Sequence, residues 1–558
     1  MSSDIVRLTL GDWQWNAAIV GFINILGEEN INAEADTVEF SAEALDGFED
    51  KYFAYFINTY EKTLSWFRIV SFKDRLRTYE ESNFEGFDLK ALQTLNTYLK
   101  DVKRYIKSNS YKAAYKLIDL NLDMLALEKE LTSIKKPKNL QEFEVKRSKV
   151  IAEVKKNLDI LHQIIEYCDS PSGKRYIAAK NVIYTIINKA WNGVSFLNPQ
   201  TKEKDCYADY KKYFVNTATE YLQRDKSKYT SNCFICDAPM QNMNNDLSFL
   251  NATGFDVARK SSHVWNFQND IAICPLCKLI YSCLPAGITY IFDKGIYVNA
   301  NIDLKNAVRI NYKIKSEILR LQEGNLRSIY HALVIALHEQ ENESARYELA
   351  DVQVVRYEND SYRFNILSRG MLRIITESKK ALNGMIQANF AENGMTVQIY
   401  DEVIGRIFNN QNLFTLIHRM LYCRLSNVSK CYFHDGHVRN VLEINQKILM
   451  NLGGIEMEND LVKSARTAGY YLRKGYISKG AENKMPGICY RLLNALKTSN
   501  ADMFMNVVLN CYLYVGDQVP KVITNALGQD KGFSTMGYAF VSGLINGKGE
   551  NKNTEKKG

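Results

Sequence analysis

Apolar residues recur at helical spacing over most of this chain and at strand spacing in a few short runs. The block from Ala17 to Leu26 predicts a buried helix, led in by Leu10-Gly11-Asp12-Trp13-Gln14-Trp15-Asn16. Asp36 to Phe40 reads as a short strand, and Ser41 is placed to cap a further helix. Leu117, Leu120, Met124, Leu127 and Leu131 recur at alternating steps of three and four, as do Ile151, Val154, Leu158, Leu161 and Ile165. Two such seams within a helical stretch from Leu89 to Ile165, joined by Lys135-Lys136-Pro137-Lys138-Asn139, predict an antiparallel helical hairpin. Its basic tip reads as a solvated turn or as a phosphate contact.

Further along, Ile288–Phe292 is strand-like, and Val352–Tyr357 and Tyr362–Leu367 alternate around Glu358-Asn359-Asp360 as a β-hairpin. From Ala381 to Ile545 the period is helical, including Leu461–Gly475, Gly487–Leu496 and Ala501–Val515, with breaks at Gly453-Gly454 and Met485-Pro486-Gly487. The expected fold is α+β: a mixed N-terminal domain with an embedded zinc-ribbon-like module, and a C-terminal helical bundle. The boundaries read as 1–200 for the N-terminal domain with its helical hairpin and 201–300 for the metal module. They continue as 301–380 for an α+β segment with the β-hairpin, 381–545 for the bundle and 546–558 for a disordered tail without apolar residues. No repeat period is present, which argues against a solenoid.

Composition adds limits. At 558 residues, 46% of them hydrophobic, the chain is long enough for two to four domains. The net charge of +8 permits a polyanionic partner without requiring one. Thirty-four tyrosines, many beside lysine or arginine, suit either helix packing or base stacking. An odd cysteine count of 11 and an N-terminus, MSSDIVRLTL, without a signal pattern predict a cytoplasmic protein free of disulfides. Residues 271–292 are apolar, but Lys278, Pro275, Pro285 and Gly287 within them predict a buried core, not a membrane span.

The sharpest chemistry is in two Cys-x-x-Cys pairs, Cys233 with Cys236 and Cys274 with Cys277, separated by 37 residues. Four thiolates on two tight turns meet the needs of a tetrahedral zinc, and a complete sulfur shell leaves no open position for a reacting water. The cofactor expected is therefore structural Zn2+. Redox pairs or buried free thiols are the alternatives. His263 and Cys283 lie close enough in sequence to stand in as ligands. No His-x-Glu precedes a Pro-Cys-x-x-Cys, so the deaminase pattern is missing.

Other motifs are weaker. Gly543 to Lys548 misses the phosphate-loop spacing, and His338-Glu339 lacks the second histidine of a zinc protease. His434-Asp435 offers a dyad for a metal-dependent nuclease or phosphohydrolase, or simply a loop before a helix. Between Val462 and Ser499, Lys463, Arg466, Arg473, Lys474, Lys479, Arg491 and Lys497 meet only one acid, Glu482. Lys463, Arg466, Tyr470 and Arg473–Lys474 fall near one helix face, an arrangement that suits a nucleic-acid strand as well as a solvated surface.

Taken together, these landmarks resemble the CXXC–CXXC subfamily of CRISPR-associated large subunits, found in type I-B Cascade surveillance complexes. The resemblance is carried by Leu10-Gly11-Asp12-Trp13, Asn16, Ala17 and Gly21-Phe22, by the two knuckles with Cys274-Pro275-Leu276-Cys277, and by Pro285-Ala286-Gly287. Ala468-Gly469-Tyr470-Tyr471-Leu472-Arg473, Arg491-Leu492-Leu493-Asn494-Ala495-Leu496 and Phe533-Ser534-Thr535-Met536-Gly537-Tyr538 extend it through the C-terminal half.

The resemblance implies a non-catalytic subunit that recognises the protospacer-flanking motif in double-stranded DNA, helps open the duplex and recruits a separate helicase–nuclease effector. Its implied partners are guide CRISPR RNA, target DNA with its displaced strand, and the backbone, guide-end-capping and small subunits of Cascade, with no membrane. It places the N-terminal domain at the flanking motif and the C-terminal bundle beside the displaced strand. Base pairing by the guide supplies most of the specificity in such a division of labour. Internal starts such as Met420 or Met450 would permit a separate small subunit. A metal-dependent nuclease using His434-Asp435, or a zinc-stapled scaffold that contacts only protein, are the other readings.

Overall fold

The computed structural model describes residues 5–253, 271–291, 294–299, 304–322, 334, 352–453, 457–458, 460–526 and 530–545. The chain divides into two units, one of Met1–Lys315 with Val355–Arg363 and the other of Ser316–Val354 with Phe364–Gly558. The expected α+β class is what the chain adopts, with small sheets among many helices.

The first unit opens with a three-stranded antiparallel sheet in the order Ile5–Thr9, Thr37–Ser41, Asn32–Glu34, registered Val6↔Phe40 and Leu8↔Val38. Those four apolar residues are buried. The motif from Leu10 to Asn16 starts the helix Trp13–Leu26. Asp12 caps it by accepting from the Gln14 and Trp15 amides, and the Trp15 indole donates to the Thr9 carbonyl at 2.9 Å. Asn16 clasps the Gly11 backbone in both directions and donates to Asn299 Oδ1 at 3.0 Å.

The helical hairpin expected across Leu89–Ile165 forms differently. Its second arm is the long helix Leu140–Asp169, but the first is interrupted: the helix Asn109–Tyr115 ends, and a short helix, Met124–Glu130, starts at an Asp123 cap. Beyond it the chain is extended because side-chain amides claim its backbone. Asn96 exchanges two hydrogen bonds with Ile134 at 2.9 and 3.0 Å, and Asn157 accepts from the Thr132 amide at 2.9 Å. Of the seam, Met124, Leu127 and Leu131 are buried, while Leu117 is half-buried and Leu120 exposed, because the residues do not share one helix.

The expected β-hairpin is present as Val352–Glu358 and Ser361–Leu367, joined by Asn359 and Asp360 with φ of 50° and 54°. Two left-handed residues in a two-residue loop match the right-handed twist of the strands. With Thr289–Ile291 and Lys294–Asn299 they form a four-stranded sheet in chain order. The apolar run from residue 271 holds helices Pro275–Ser282 and Leu284–Gly287, both buried in the core as expected. Among the described residues, no helix is long and apolar enough to cross a membrane.

The second unit is a helical bundle with one sheet that the periodicity did not predict. Met395–Gln398, Asn389–Glu392 and Cys431–Tyr432 pair in that order, and Asn393-Gly394 turns the hairpin with φ of 50° and 79°. The helix Asp530–Ile545 runs among Phe414–Ser426, Asp435–Gly453, Leu461–Ser478 and Met485–Lys497. Met485-Pro486-Gly487, expected as a break, is the first turn of a helix, where proline is tolerated. The tail 546–558 lies outside the described residues.

Candidate metal centre and basic surface

The first knuckle is a tight turn between Ser231–Asn232 and Pro239–Met240, which pair in antiparallel register. The Cys233 amide donates to the Ala238 carbonyl at 2.9 Å, and the Asp237 amide to the Cys233 carbonyl at 2.9 Å. Asp237 takes φ of 56°, and Asn232 donates to its carboxylate at 3.0 Å. This turn aims both sulfurs to one side.

The second knuckle is a helix start. Cys274 is the N-cap of Pro275–Ser282, and its sulfur accepts from the Cys277 amide at 3.4 Å. A helix N-terminus stabilises a thiolate there. The knuckles meet where the Cys274 amide donates to Cys233 Sγ at 3.2 Å and the Phe234 amide to the Ala272 carbonyl at 2.9 Å.

All four sulfurs lie within 4.8 Å of one another, and Cys236 Sγ stands 3.7 Å from Cys274 Sγ. A tetrahedron with metal–sulfur bonds of about 2.3 Å has edges of about 3.8 Å, so the spacing fits an ion at its centre. Cys274 and Cys277 are fully buried, while Cys236 is exposed. Hydrogen bonds from neighbouring thiols hold Cys233 well below the usual thiol range and push Cys277 well above it. Cys236 is lowered with Cys233, whereas hydrogen bonds to those two push Cys274 up with Cys277, so without a cation the first knuckle is favoured as thiolates and the second opposed, a conflict that a bound dication removes. These four cysteines are positioned to bind a metal ion, consistent with a CXXC-type zinc site. Cys283 is not part of the cluster: it is buried and donates to the Leu279 carbonyl at 3.5 Å. His263 lies outside the described residues.

The periodicity gave no hint of how firmly the second knuckle is held. The Ser282 carbonyl accepts from the Tyr52 hydroxyl and the Trp191 indole, each at 3.0 Å, and the Ala286 carbonyl from Asn24 and Tyr55, each at 3.0 Å. Carbonyls at a helix end have no partner within the helix, and here buried aromatic donors supply one.

The C-terminal stripe divides into two sets. Lys463, Tyr470, Lys474, Lys479, Arg491 and Lys497 are exposed, and Lys474 lies over the Tyr470 ring at 4.7 Å. Arg473 is only 7% exposed, donating to the Leu544 carbonyl at 2.8 Å and to Glu482 at 2.5 Å. Arg466 is paired with Asp435. Spacing alone put both arginines on the outer face, but the helix Asp530–Ile545 covers that side and turns them inward.

The same pair takes up the carboxylate of the His434-Asp435 dyad, while His434 stacks on His437 with ring centroids 3.7 Å apart. Among the described residues, the four-cysteine cluster is the only group of three or more potential ligands close enough to share a metal.

Residues 226–289 match the family model described as CRISPR-associated protein (Cas_CXXC_CXXC), a span that contains all four clustered cysteines. No curated protein and no solved structure matches the chain. The match supports a CRISPR-associated protein with a CXXC pair.

Proposed function

We propose that this chain is the non-catalytic large subunit of a type I-B RNA-guided interference complex. In this reading it recognises the flanking motif on duplex DNA, aids opening, holds the displaced strand and docks a helicase–nuclease. The observation that carries the proposal is the family match over residues 226–289 coinciding with a closed four-sulfur cluster. A complete sulfur shell organises structure and offers no site for a reacting water, which agrees with a binding role. The metal in this reading is zinc, and the compartment is the cytoplasm, where thiols stay reduced.

Its partners are the guide RNA, the target duplex and the backbone, guide-end-capping and small subunits. On the C-terminal unit, Lys463, Tyr470, Lys474, Lys479, Arg491 and Lys497 are the residues proposed for the displaced strand, combining charge for phosphates with a ring for bases. Arg466 and Arg473 are withdrawn from that role.

The test is co-expression of the tagged chain with a guide and candidate partner subunits. The expected result is a copurifying ribonucleoprotein that binds guide-matched duplex only when a correct flanking motif is present. Failure to recruit guide RNA or partners, or hydrolysis of DNA or RNA by the isolated chain that His434→Ala abolishes, would overturn the proposal.

A further inference from the structure

The first unit carries a second basic surface, which reaches the basic tip at Lys135 and Lys136. Between Leu89 and Lys138 there are eleven lysines and arginines against five acids, in a chain whose whole excess is +8. Lys100, Lys103, Arg104 and Lys107 line one face of the helix Leu89–Ile106 and its cap, above a shallow groove completed by Asn96, Ser133 and Ile134.

This groove is built, unlike a random run of surface lysines. Its floor is the buried Ile134, fixed by the two hydrogen bonds to Asn96. Beneath it Glu128 is 4% exposed, and its carboxylate lies 2.9 Å from Lys107 Nζ and 3.4 Å from Lys103 Nζ. Burial raises that carboxyl, yet the two ammoniums outweigh it and leave it below its ordinary value, so the charge under them persists. Lys103 is pinned further by the Leu131 carbonyl at 2.6 Å. Lys100 and Arg104 face solvent beside these anchored groups; Arg104 pairs with Asp101 at 2.8 Å and donates to the Tyr105 hydroxyl at 3.0 Å, both exposed contacts that salt or another anion displaces readily. Lys135 and Lys136 continue the basic surface just after Ser133 and Ile134.

We propose that this groove binds the phosphodiester backbone of a nucleic acid. From Lys100 to Lys107 the helix rises about 10 Å, enough to meet about three phosphates of one strand. Contacts of this kind set register and affinity without reading bases. The inference deepens the nucleic-acid role proposed above. It is tested on the chain alone, with ligands matched to no guide, so it stands or fails separately from guide-dependent assembly.

The experiment measures binding of the full chain to labelled duplex DNA and, separately, to labelled single-stranded RNA between about 50 and 200 mM salt. Lys100→Gln/Arg104→Gln/Lys107→Gln is expected to reduce the slope of log affinity against log salt by about 2.7 for duplex or about 2 for a single strand. The ligand showing that change is the one the groove takes. Lys100→Glu/Arg104→Glu leaves Lys107 on Glu128 and must weaken binding as well. An unchanged slope for both ligands, a parent chain that binds neither, or a loss confined to the Lys107-containing variant would each overturn the proposal.

Discussion

Gly469 and Gly543 each lie against the backbone of the other's helix: a Cβ on Gly469 would stand 2.1 Å from the Phe540 carbonyl oxygen, and one on Gly543 2.1 Å from that of Arg466. Two helices can approach this closely only where neither has a side chain. Gly469→Ala or Gly543→Ala should push Leu461–Ser478 away from Asp530–Ile545 and destabilise the second unit by about 1–3 kcal/mol, the usual cost of overpacking. Urea denaturation followed by circular dichroism would show it as an earlier transition. An unmoved midpoint would mean that the helices are not in such contact.

The metal centre makes a second prediction. The purified chain should contain one zinc, and Cys233→Ser or Cys274→Ser should lower that content and the thermal midpoint together. Binding to such sites contributes about 10 kcal/mol or more in small model systems, so chelation should melt the knuckles and loosen the core attached to them. Elemental analysis alongside thermal melts checks both. Full stability without any metal would remove zinc from the account.

Arg473 and Lys474 are neighbours with opposite expected behaviour. Arg473→Ala removes a buried side chain and leaves the Leu544 carbonyl without its donor, and should cost about 1–3 kcal/mol of stability. Lys474→Ala changes an exposed ammonium and should move stability by less than about 0.5 kcal/mol. If the displaced strand runs over this surface, only the lysine variant should lose affinity while remaining as stable as the parent. Denaturation and strand-binding titrations on the two variants separate the effects.

Lys315 offers a test in pH. Burial pushes its ammonium down to about 8, and its Nζ donates to the Tyr55 hydroxyl at 3.0 Å. Between about 8 and the ordinary lysine value of 10.5 the unfolded chain keeps this proton and the folded chain sheds it. Stability from this group therefore rises with pH through that window and is lost again as pH falls through 8. The parent should gain about 2 kcal/mol relative to Lys315→Met between neutral pH and about pH 10. Paired denaturation curves at the two pH values would read the difference, and parallel curves would contradict it.

What the sequence made legible was mostly local. The Cys-x-x-Cys spacing brought the four sulfurs together, and the alternation around Asn359-Asp360 located a hairpin, because both depend on residues close in the chain. Asn393-Gly394 was an equally local signal for the second hairpin, hidden by the helical period on either side. The failures have tertiary causes. Met124–Glu130 stops short because Asn96 and Asn157, distant in sequence, take the backbone bonds a longer helix would need. Lys463, Tyr470 and Lys474 of the predicted face are exposed, but Arg466 and Arg473 at its edge are taken up by Asp435, Glu482 and the Leu544 carbonyl, groups that only the packed bundle brings to them. The aromatic donors that grip Ser282 and Ala286 are more than 90 residues away or belong to other helices, and no periodicity can reveal such pairings.

That grip separates this site from the free-standing zinc fingers that evolution shuffles between proteins. An excised peptide of residues 226–289 would retain every sulfur, yet it would leave behind the phenols of Tyr52 and Tyr55 and the indole of Trp191. Transplanted into a foreign host, the knuckles would arrive without the mortar that holds the Ser282 and Ala286 carbonyls here.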